Sequence, residues 1–435
     1  IILQCLVGTP DVTSGENSPR LLSRKMLVRC NIKFRQRTKG GVGETVPRAW
    51  GVLSERSERR RGACPPSGSA LSIKNLCDRA IAGYMRRFLI INPFGIGDVL
   101  FTTPVIRAIK DRLPRAIICY WCNDRAQGIL KYNPGVDKII ALSRGDIKKI
   151  YRKSIWAGIH RFLKLLHCIK KGNFDVAIDF SLDHRYSLIA KLLGIKKRIG
   201  FNYKNRGRFL TDKIGLDGYS GKHVVEYYLD LLKPIGIEPK SYNLELILSQ
   251  TAKRKSGDIL REHGISDKGL IIGIAAGAGA SWGQDASLKH WPAISFGKLA
   301  DRVINDLGAK VVLLGDVLEE HISDMIISAM HNRPINLTGK TNLEELSAVI
   351  NNLSILVTND GGPLHMAAAL GKKTLSFFGP VDPKVYGPYP PDEKRHIVLK
   401  KNLECSPCYI KFRLSDCKRN RECLETIDVD SAFNA

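Results

Sequence analysis

The sequence predicts an α/β protein with two halves, each a parallel sheet covered by helices. Two observations carry this prediction. From Met85 onward, short apolar runs alternate with amphipathic segments, the pattern of repeated strand–turn–helix units. A connection from Pro234 to about Ser249 separates two such sets of similar length. Because ligands of such sheets bind at the carboxyl ends of strands, we expect the functional site in a cleft between the two halves.

The first half is predicted to span residues 85–245. Its strands are expected at Arg87–Asn92, Ala116–Cys122, Lys138–Leu142 and Val176–Phe180. Apolar runs of this length, bounded by turn residues, are typical of buried strands. Its helices are expected at Val99–Arg112, Ser187–Leu193 and His223–Leu232.

The second half is predicted to span residues 250–395, followed by a Cys-containing tail, 396–435. Its strands are expected at Leu270–Ala275, Ala309–Leu314, Ile335–Leu337, Ile355–Val357 and Thr374–Phe378. Its helices are expected near Ala293–Asp306, Leu318–Met330 and Leu343–Asn351, and another begins at Pro363.

Residues 1–84 differ from the rest of the chain. They lack sustained periodicity and contain Arg-rich and Pro/Gly/Ser-rich patches. Met85, followed by two arginines and a strand, is typical of a natural start. We therefore expect residues 1–84 to be a disordered segment or an upstream extension rather than a folded domain.

The net charge of +26 over 435 residues indicates an anionic partner. No nucleic-acid-binding motif accompanies the charge, so nucleic acid is disfavoured as that partner. No apolar run approaches the ~18–20 residues needed to span a bilayer. The sequence predicts a cytoplasmic protein and leaves open a peripheral position on the inner face of the inner membrane. The basic amphipathic stretch Ile155–Lys171 is either an ordinary surface helix or a contact for lipid or an anionic acceptor.

The turn Asn359–Gly362 is the strongest candidate for an anion-binding site. It follows a short apolar run, and Pro363 fits the first turn of a helix that Gly371 would end. A helix start after a glycine turn presents free N–H groups to an anion such as a diphosphate. Asp360 and His365 flank this point.

A second candidate is the turn that carries Gly95, Gly97 and Asp98. The two glycines allow a ligand to approach the backbone closely, and Asp98 could take a proton from a hydroxyl group. The alternative is that Asp98 only caps a helix. A helix start favours the ionised carboxylate, so we expect Asp98 to be a weak base. The turn lacks the third glycine of a dinucleotide-binding fingerprint.

Further polar candidates follow strands of the second half. Lys289 could neutralise a phosphate, although most lysines are simply solvated. Glu319 or Glu320 could accept hydrogen bonds from ribose hydroxyls, or could lie on a helix surface. Ser281 and Ser287 are hydroxyl-bearing candidates for phosphate contact, and the sequence does not choose between them.

The tail contains four cysteines, Cys405, Cys408, Cys417 and Cys423. The first pair has zinc-like spacing, whereas the second pair is separated by five residues. Free thiols or occasional disulfides are therefore favoured over a bound metal.

Five segments in this order resemble glycosyltransferase family 9, the ADP-heptose:lipopolysaccharide heptosyltransferases. They are Gly97–Ala108, Lys197–Phe201, Lys289–Pro292, Asn359–His365 and Phe378–Pro383. The resemblance runs from about Met85 to the C-terminus. It implies a GT-B fold, with two Rossmann-like domains facing each other across a cleft. It also implies inverting transfer of a heptose from an ADP-sugar donor to an anionic glycolipid acceptor, without a required metal or other cofactor.

The resemblance also assigns roles to single residues. It implies that Asp98 is the base, on the acceptor side with Gly95 and Gly97, and that Lys289 stabilises the diphosphate leaving group. It implies further that Asp360 holds the donor sugar, that Glu319 or Glu320 contacts ribose, and that the phosphates lie at Gly361, Gly362 and His365. The long segment from Gly277 to Leu288 departs from the family pattern, so the donor is less securely indicated than the fold.

Three alternatives remain open at this stage. A glycosyltransferase for another surface polysaccharide would keep the class and change the donor or acceptor. A non-catalytic nucleotide- or lipid-binding protein is disfavoured, because it would not need Asp98, Lys289 and Asp360 together. An NAD-dependent oxidoreductase is disfavoured by incomplete glycine fingerprints at Gly95 and Gly277.

Overall fold

The computed structural model describes residues 86–142, 144–238, 240, 242–265, 269–278 and 280–435. The expectation for residues 1–84 lies outside the described residues. Every described residue belongs to one compact unit of the chain.

The first sheet has six parallel strands. They are β1 (Arg87–Asn92), β2 (Ile117–Cys122), β3 (Lys138–Ala141), β4 (Val176–Asp179), β5 (Lys197–Tyr203) and β6 (Asp212–Leu216). Their order in the sheet is β3-β2-β1-β4-β5-β6. The central strand β1 is buried from its second residue onward, as expected for a strand covered on both faces. The four predicted strands are present, and β5 and β6 extend the sheet beyond them.

The second sheet repeats the same plan. Its strands are β7 (Ile271–Ala275), β8 (Lys310–Leu313), β9 (Ile335–Asn336), β10 (Ile355–Asn359), β11 (Lys373–Phe377) and β12 (His396–Leu399). They are parallel, in the order β12-β11-β10-β7-β8-β9. In each sheet the first and fourth strands of the set lie side by side, the order of a doubly wound Rossmann-like domain. The prediction of two such α/β domains is confirmed.

The helices cover both sheets. In the first domain they are α1 (Ile96–Leu100), α2 (Thr103–Arg112), α3 (Gln127–Leu130), α4 (Arg144–Lys153), α5 (Ile155–Gly172), α6 (His184–Leu192) and α7 (Val224–Asp230), and α8 (Gln250–Glu262) opens the second domain. The remaining helices are α9 (Ala293–Leu307), α10 (Glu320–Ser328), α11 (Leu343–Asn352), α12 (Gly362–Ala369), α13 (Pro383–Tyr386), α14 (Glu422–Glu425) and α15 (Val429–Asn434). No helix in the described part of the chain is long and apolar enough to cross a membrane.

The single helix predicted at Val99–Arg112 is divided into α1 and α2. Pro104 has no N–H with which to reach the carbonyl of Leu100. The Thr103 hydroxyl donates to that carbonyl instead, at 2.7 Å. The break leaves α1 as a short helix of five residues directly after the Gly95 turn.

The C-terminal segment packs against the second domain. Leu424, Ile427 and Ala432 belong to the core formed by one face of that sheet. The indole N–H of Trp291 donates to the carbonyl of Ile427 at 2.9 Å. Before these residues, β13 (Tyr409–Ile410) and β14 (Arg413–Leu414) form an antiparallel hairpin.

Candidate active site in the interdomain cleft

A cleft of about 450 Å³ lies between the two domains, at the carboxyl ends of β1 and β10. It is lined by residues that follow strands of both sheets, including Asp98, Lys289 and Asp360. These strands flank the points where each sheet reverses its strand order, which is where doubly wound folds bind ligands. The sequence predictions for these three residues therefore converge on one space.

Two helix starts meet at the floor of the cleft. A Cβ atom on Gly97 would lie 2.6 Å from Cδ2 of His365, so no side chain fits at this position without movement. A Cβ atom on Gly362, at the start of α12, would lie 3.5 Å from Cβ of Ile96, an ordinary contact distance. Gly97 therefore serves the close contact between α1 and α12, in addition to the predicted approach of a ligand.

Asp98 is the third residue of α1. Its carboxylate accepts a hydrogen bond from the Gly95 N–H at 3.3 Å, and its carbonyl accepts one from the Asn92 amide at 2.9 Å. Asp98 keeps partial exposure through the cleft mouth, but protein atoms surround it densely. This desolvation raises the pKa of Asp98 to about 6, against the lowering influences of the Gly95 N–H and of the Lys289 charge.

The expectation that Asp98 is a weak base is therefore wrong. Burial disfavours the charged carboxylate more than the start of a five-residue helix favours it. A carboxylate with a pKa near 6 is ionised at neutral pH and is still able to accept a proton.

Lys289 and Asp360 form a buried ion pair, with 2.5 Å between Nζ and Oδ2. Lys289 ends a 3-10 segment, Ala280–Lys289, that follows β7, and Asp360 follows β10. The Lys289 ammonium also lies 4.2 Å from the centre of the Trp282 ring. A phosphate entering the cleft would compete with Asp360 for this ammonium group.

His365 lies beside this pair as a buried, neutral imidazole. Burial lowers its pKa to about 4, although the Asp360 charge acts in the opposite direction. Its ring packs edge-on against Phe101 of the first domain, with 4.5 Å between centroids. Nδ1 is buried and has no hydrogen-bond partner among the described residues. The imidazole therefore adds no positive charge to the cleft at neutral pH.

The turn after β10 forms as predicted. Gly362 begins α12, Pro363 lies in its first turn, and Gly371 follows its end with a φ of 69°. The first N–H groups of a helix have no acceptor within the helix, so the start of α12 offers donors beside the Lys289–Asp360 pair.

The structure separates the two ribose candidates. Glu319 lines the cleft, and a Cβ atom on Gly277 would clash with its carboxylate. The carboxylate accepts the Asp316 N–H at 3.0 Å, and burial raises its pKa. Glu320 is exposed, packs near Gly339 and is not among the residues that line the cleft.

The structure does not bring Ser287 into the cleft. Its side chain is exposed, and its carbonyl accepts a hydrogen bond from Arg421 at 3.1 Å. The side chain of Ser281 lies outside the described residues. The roles of both serines stay predictions.

The four cysteines of the tail are free thiols. Across residues 86–435, within the described ranges, no group of three or more His, Cys, Asp or Glu side chains is placed to hold a metal ion. The zinc hypothesis therefore gains no support from this part of the chain.

Aromatic residues that were not predicted as site residues line the cleft. They are Phe94, Phe101, Tyr219, Tyr228, Trp282, Tyr386, Tyr409 and Phe412. Trp282 lies in the segment Gly277–Leu288, and the departure of this segment from the family pattern was the one sequence feature that pointed to it. The others come from scattered positions with no common spacing, so only the fold brings them together.

Comparison with known proteins gives the chain a family. The model described as "Glycosyltransferase family 9 (heptosyltransferase)" matches residues 162–418. The chain is 26% identical over 305 residues to lipopolysaccharide heptosyltransferase 2 of Salmonella typhimurium, covering 68% of this chain and 84% of that protein. It is also 26% identical over 301 residues to lipopolysaccharide heptosyltransferase 3 of Escherichia coli K12, covering 67% and 82%.

Solved structures share the fold. The glycosyl transferase family 9 structure from Veillonella parvula matches with a TM-score of 0.67 at 24% identity, over 80% of this chain and 96% of that chain. The E. coli ADP-heptose lps heptosyltransferase II matches with a TM-score of 0.63 at 23% identity, over the same shares of the two chains.

Proposed function

Because the chain belongs to glycosyltransferase family 9, we propose that it transfers a heptose from ADP-heptose to an acceptor in the lipopolysaccharide core, with inversion at the anomeric carbon. The curated relatives are heptosyltransferases of lipopolysaccharide, and this supports the donor and acceptor. The observation that carries the proposal is one cleft that holds Asp98 from the first domain and the Lys289–Asp360 pair from the second.

In this reaction Asp98 takes the proton of the acceptor hydroxyl. The oxygen then forms a bond to the anomeric carbon of the donor, and the bond from that carbon to the diphosphate breaks. The electron pair of the broken bond leaves with ADP, and the proton stays on Asp98. The pKa of about 6 supports this role, since the carboxylate is ionised near pH 7 and its conjugate acid is not strongly acidic.

Lys289 and the start of α12 stabilise the negative charge that grows on the leaving diphosphate. Lys289 is buried, and the start of α12 lies in the turn beside the Lys289–Asp360 pair. Electrostatic interactions in such a site, which excludes water, are stronger than in bulk water. When the diphosphate binds Lys289, Asp360 is released to accept hydrogen bonds from hydroxyl groups of the donor sugar. His365 donates or accepts a hydrogen bond at the same phosphates, and the backbone of Gly361 and Gly362 contributes N–H groups.

Glu319 is the residue we propose for the ribose hydroxyls, because it lines the cleft and Glu320 does not. Gly95 and Gly97 form the acceptor side around Asp98.

Chelators should leave transfer unchanged, since every assigned step is carried by side chains and backbone groups.

A donor screen tests the proposal against a glycosyltransferase for another surface polysaccharide. The shift in melting temperature would be measured with ADP-heptose, ADP-glucose, UDP-glucose and GDP-mannose. We expect ADP-heptose to give the largest shift, and transfer to a core acceptor to release ADP. A larger shift with a UDP- or GDP-sugar would favour the other polysaccharide. Binding of ADP-heptose without release of ADP in the presence of acceptor would favour a non-catalytic protein.

The surface of α5 supports a peripheral position at a membrane. Trp156 is 79% exposed, and Ile155 and Leu163 are exposed beside it. The helix itself contains four Lys or Arg residues, Arg161, Lys164, Lys170 and Lys171, and no Asp or Glu. Exposed apolar groups surrounded by cations are typical of helices that lie in the interface of an anionic bilayer. We propose that α5 holds the protein at the inner face of the membrane that carries its acceptor.

Vesicle sedimentation tests this position. The full chain should sediment with vesicles that contain anionic phospholipid and should stay in solution with zwitterionic ones. Trp156→Ser with Leu163→Ser should reduce sedimentation at least about fivefold. Ile294→Ser is the matched control, because Ile294 is an exposed apolar residue, at 53%, on α9 of the other domain. Equal loss in both variants would contradict a specific role for α5.

A further inference from the structure

The hairpin β13–β14 of the tail carries aromatic residues into the cleft. Tyr409 and Phe412 both line it. Lys411 and Phe412 form the two-residue turn and have φ values of 51° and 61°. A two-residue turn of this kind favours Asn and Gly, and a bulky residue in the left-handed region is unusual. Such local strain persists where the surroundings hold it and is concentrated at functional sites.

Contacts to both domains hold the hairpin in place. Tyr203 and Asp217 of the first domain both contact Lys411. The Tyr203 hydroxyl donates to the Lys411 carbonyl at 3.2 Å, and the Asp217 carboxylate pairs with the Lys411 ammonium. On the other side, the N–H groups of Cys408 and Tyr409 donate to the carbonyl of Pro380 at 3.0 and 2.8 Å. The hairpin therefore bridges the two domains along one side of the cleft.

The hairpin completes a continuous row of aromatic rings. Phe412 packs edge-on between Tyr203 and Tyr219, with centroid distances of 5.0 and 4.9 Å. The row continues from Tyr219 to Tyr386 at 6.2 Å and from Tyr386 to Tyr409 at 6.1 Å. It ends at Trp282, whose ring centroid is 4.9 Å from that of Tyr409. The Trp282 ring also lies against the Lys289 ammonium. One end thus lies in the first domain, with the proposed base, and the other lies at the proposed diphosphate site.

We propose that Phe412, with Tyr409, forms a carbohydrate-binding platform that stacks against a sugar ring of the acceptor and holds its hydroxyl at Asp98. This inference rests on the proposed function and adds a binding site on the C-terminal hairpin. The negative face of an aromatic ring attracts the positively polarised C–H groups of a sugar, which fixes the plane of the ring. A few hydroxyl groups in a mostly aromatic wall then fix its orientation.

The position of the row favours the acceptor over the donor. Phe412 contacts only residues of the first domain within the aromatic row, and that domain carries Asp98. Desolvation raises the pKa of Tyr219 and Tyr409, and the Asp98 charge, with that of Asp360 for Tyr409, adds to the rise. Both phenols are protonated at neutral pH, so their hydroxyls can donate hydrogen bonds to sugar oxygens.

Steady-state kinetics with each substrate varied in turn tests the platform. Phe412→Ala should raise KM for the acceptor about tenfold and leave KM for ADP-heptose within about twofold. Phe412→Trp should recover most of the acceptor affinity, because it restores an aromatic face. Ile410→Ala is the matched control on the same hairpin, since Ile410 is 58% exposed and does not line the cleft. It should leave both KM values unchanged.

An unchanged acceptor KM in Phe412→Ala would overturn the proposal, and so would an equal rise in both KM values. Calorimetry separates this inference from the proposed reaction. Binding of a soluble core oligosaccharide to Asp98→Asn protein, without donor, should be weakened by Phe412→Ala and not by Ile410→Ala. If the wild-type protein fails to transfer heptose, the proposed function fails, and this binding measurement still decides whether the platform exists.

Discussion

Asp98 is a carboxylate whose surroundings work against its charge. Its pKa of about 6 arises mainly from desolvation, and the Lys289 charge opposes that influence only partly. The resemblance of the sequence to glycosyltransferase family 9 predicts Asp98, Lys289 and Asp360 in one site, and the fold brings them together. The protonation states could not be predicted in this way, because they depend on burial by both domains. The neutral state of His365, for example, depends on packing against Phe101.

The pH dependence of transfer should report the protonation of Asp98. A base must be ionised before it can accept a proton, so activity is lost as pH falls through the pKa. We expect kcat/KM for the acceptor to be constant above about pH 7 and to fall about tenfold per pH unit well below pH 6. An acid limb centred near pH 4 would instead indicate a carboxylate that burial does not perturb.

Asp98→Asn should lose transfer and gain stability. The loss of a general base is expected to reduce kcat by ~10²–10⁴-fold. The pKa of Asp98 in the folded protein, about 6, lies above the ordinary value of an aspartate, so its charge begins to cost free energy of folding as pH rises through about 4, and the cost is complete above about pH 6. Removing the charge should raise the free energy of unfolding at pH 8 by up to about 3 kcal/mol, less where water at the cleft mouth solvates the group.

Denaturant unfolding at pH 8 and at pH 4 measures this gain. The variant should be more stable than the wild type at pH 8 and equal to it at pH 4. Reduced stability at pH 8 would show that Asp98 serves the fold.

A double variant of the Lys289–Asp360 pair distinguishes its contribution to stability from its contribution to donor use. Lys289→Ala leaves a buried carboxylate without its cation, which is expected to cost ~3–5 kcal/mol of stability. Lys289→Ala with Asp360→Asn should recover most of that stability, because the unpaired charge is removed. Use of ADP-heptose should stay impaired in both variants. Recovered donor use in the double variant, measured as kcat/KM for ADP-heptose, would remove Lys289 from the donor site.

Among the elements, α1 and α12 set the geometry of the cleft by their close contact. Gly97→Ala would place a methyl group 2.6 Å from Cδ2 of His365 and should push the two helices apart. We expect kcat to fall at least about tenfold with little change in melting temperature. Gly257→Ala on α8 is the matched control, because a Cβ atom there would meet nothing within 4 Å and Gly257 does not line the cleft. Equal kinetics in the two variants would mean that the contact is not needed.

The most buried strands were predicted from the sequence, whereas the less buried β5 and β6 were not. Strands such as β1 and β7 are buried on both faces, so their apolar runs stand out. β6 is an edge strand that is mostly half-exposed, with Asp212 and Lys213 at its start, and β5 begins with Lys197 and Arg198. Neither gives a continuous apolar run. The pairing of β5 with β4, and of β6 with β5, supplies the order that the local sequence does not.

For the whole molecule, alternation of strands and helices was sufficient to predict two doubly wound domains. The strand order was not available from the same signal, because pairs such as β1 with β4 join residues far apart in the chain. β10 pairs with β7 in the same way in the second sheet. These two pairings create the adjacent strand ends from which Asp98 and Asp360 extend. The position of the site is thus a property of topology, whereas its residue types are visible in the sequence.

The hairpin has a consequence for the order in which the protein is made. All twelve parallel strands of the two sheets lie between Arg87 and Leu399, and β13 and β14 follow them. On the ribosome, both sheets are therefore synthesised before Tyr409 and Phe412 exist to close the side of the cleft. Leu424 and Ile427, which seal one face of the second sheet, come later still. A nascent chain halted at residue 403 would contain Asp98 and Lys289 but would lack the proposed acceptor platform. Under the proposed function, acceptor binding would therefore wait until the last segment has emerged.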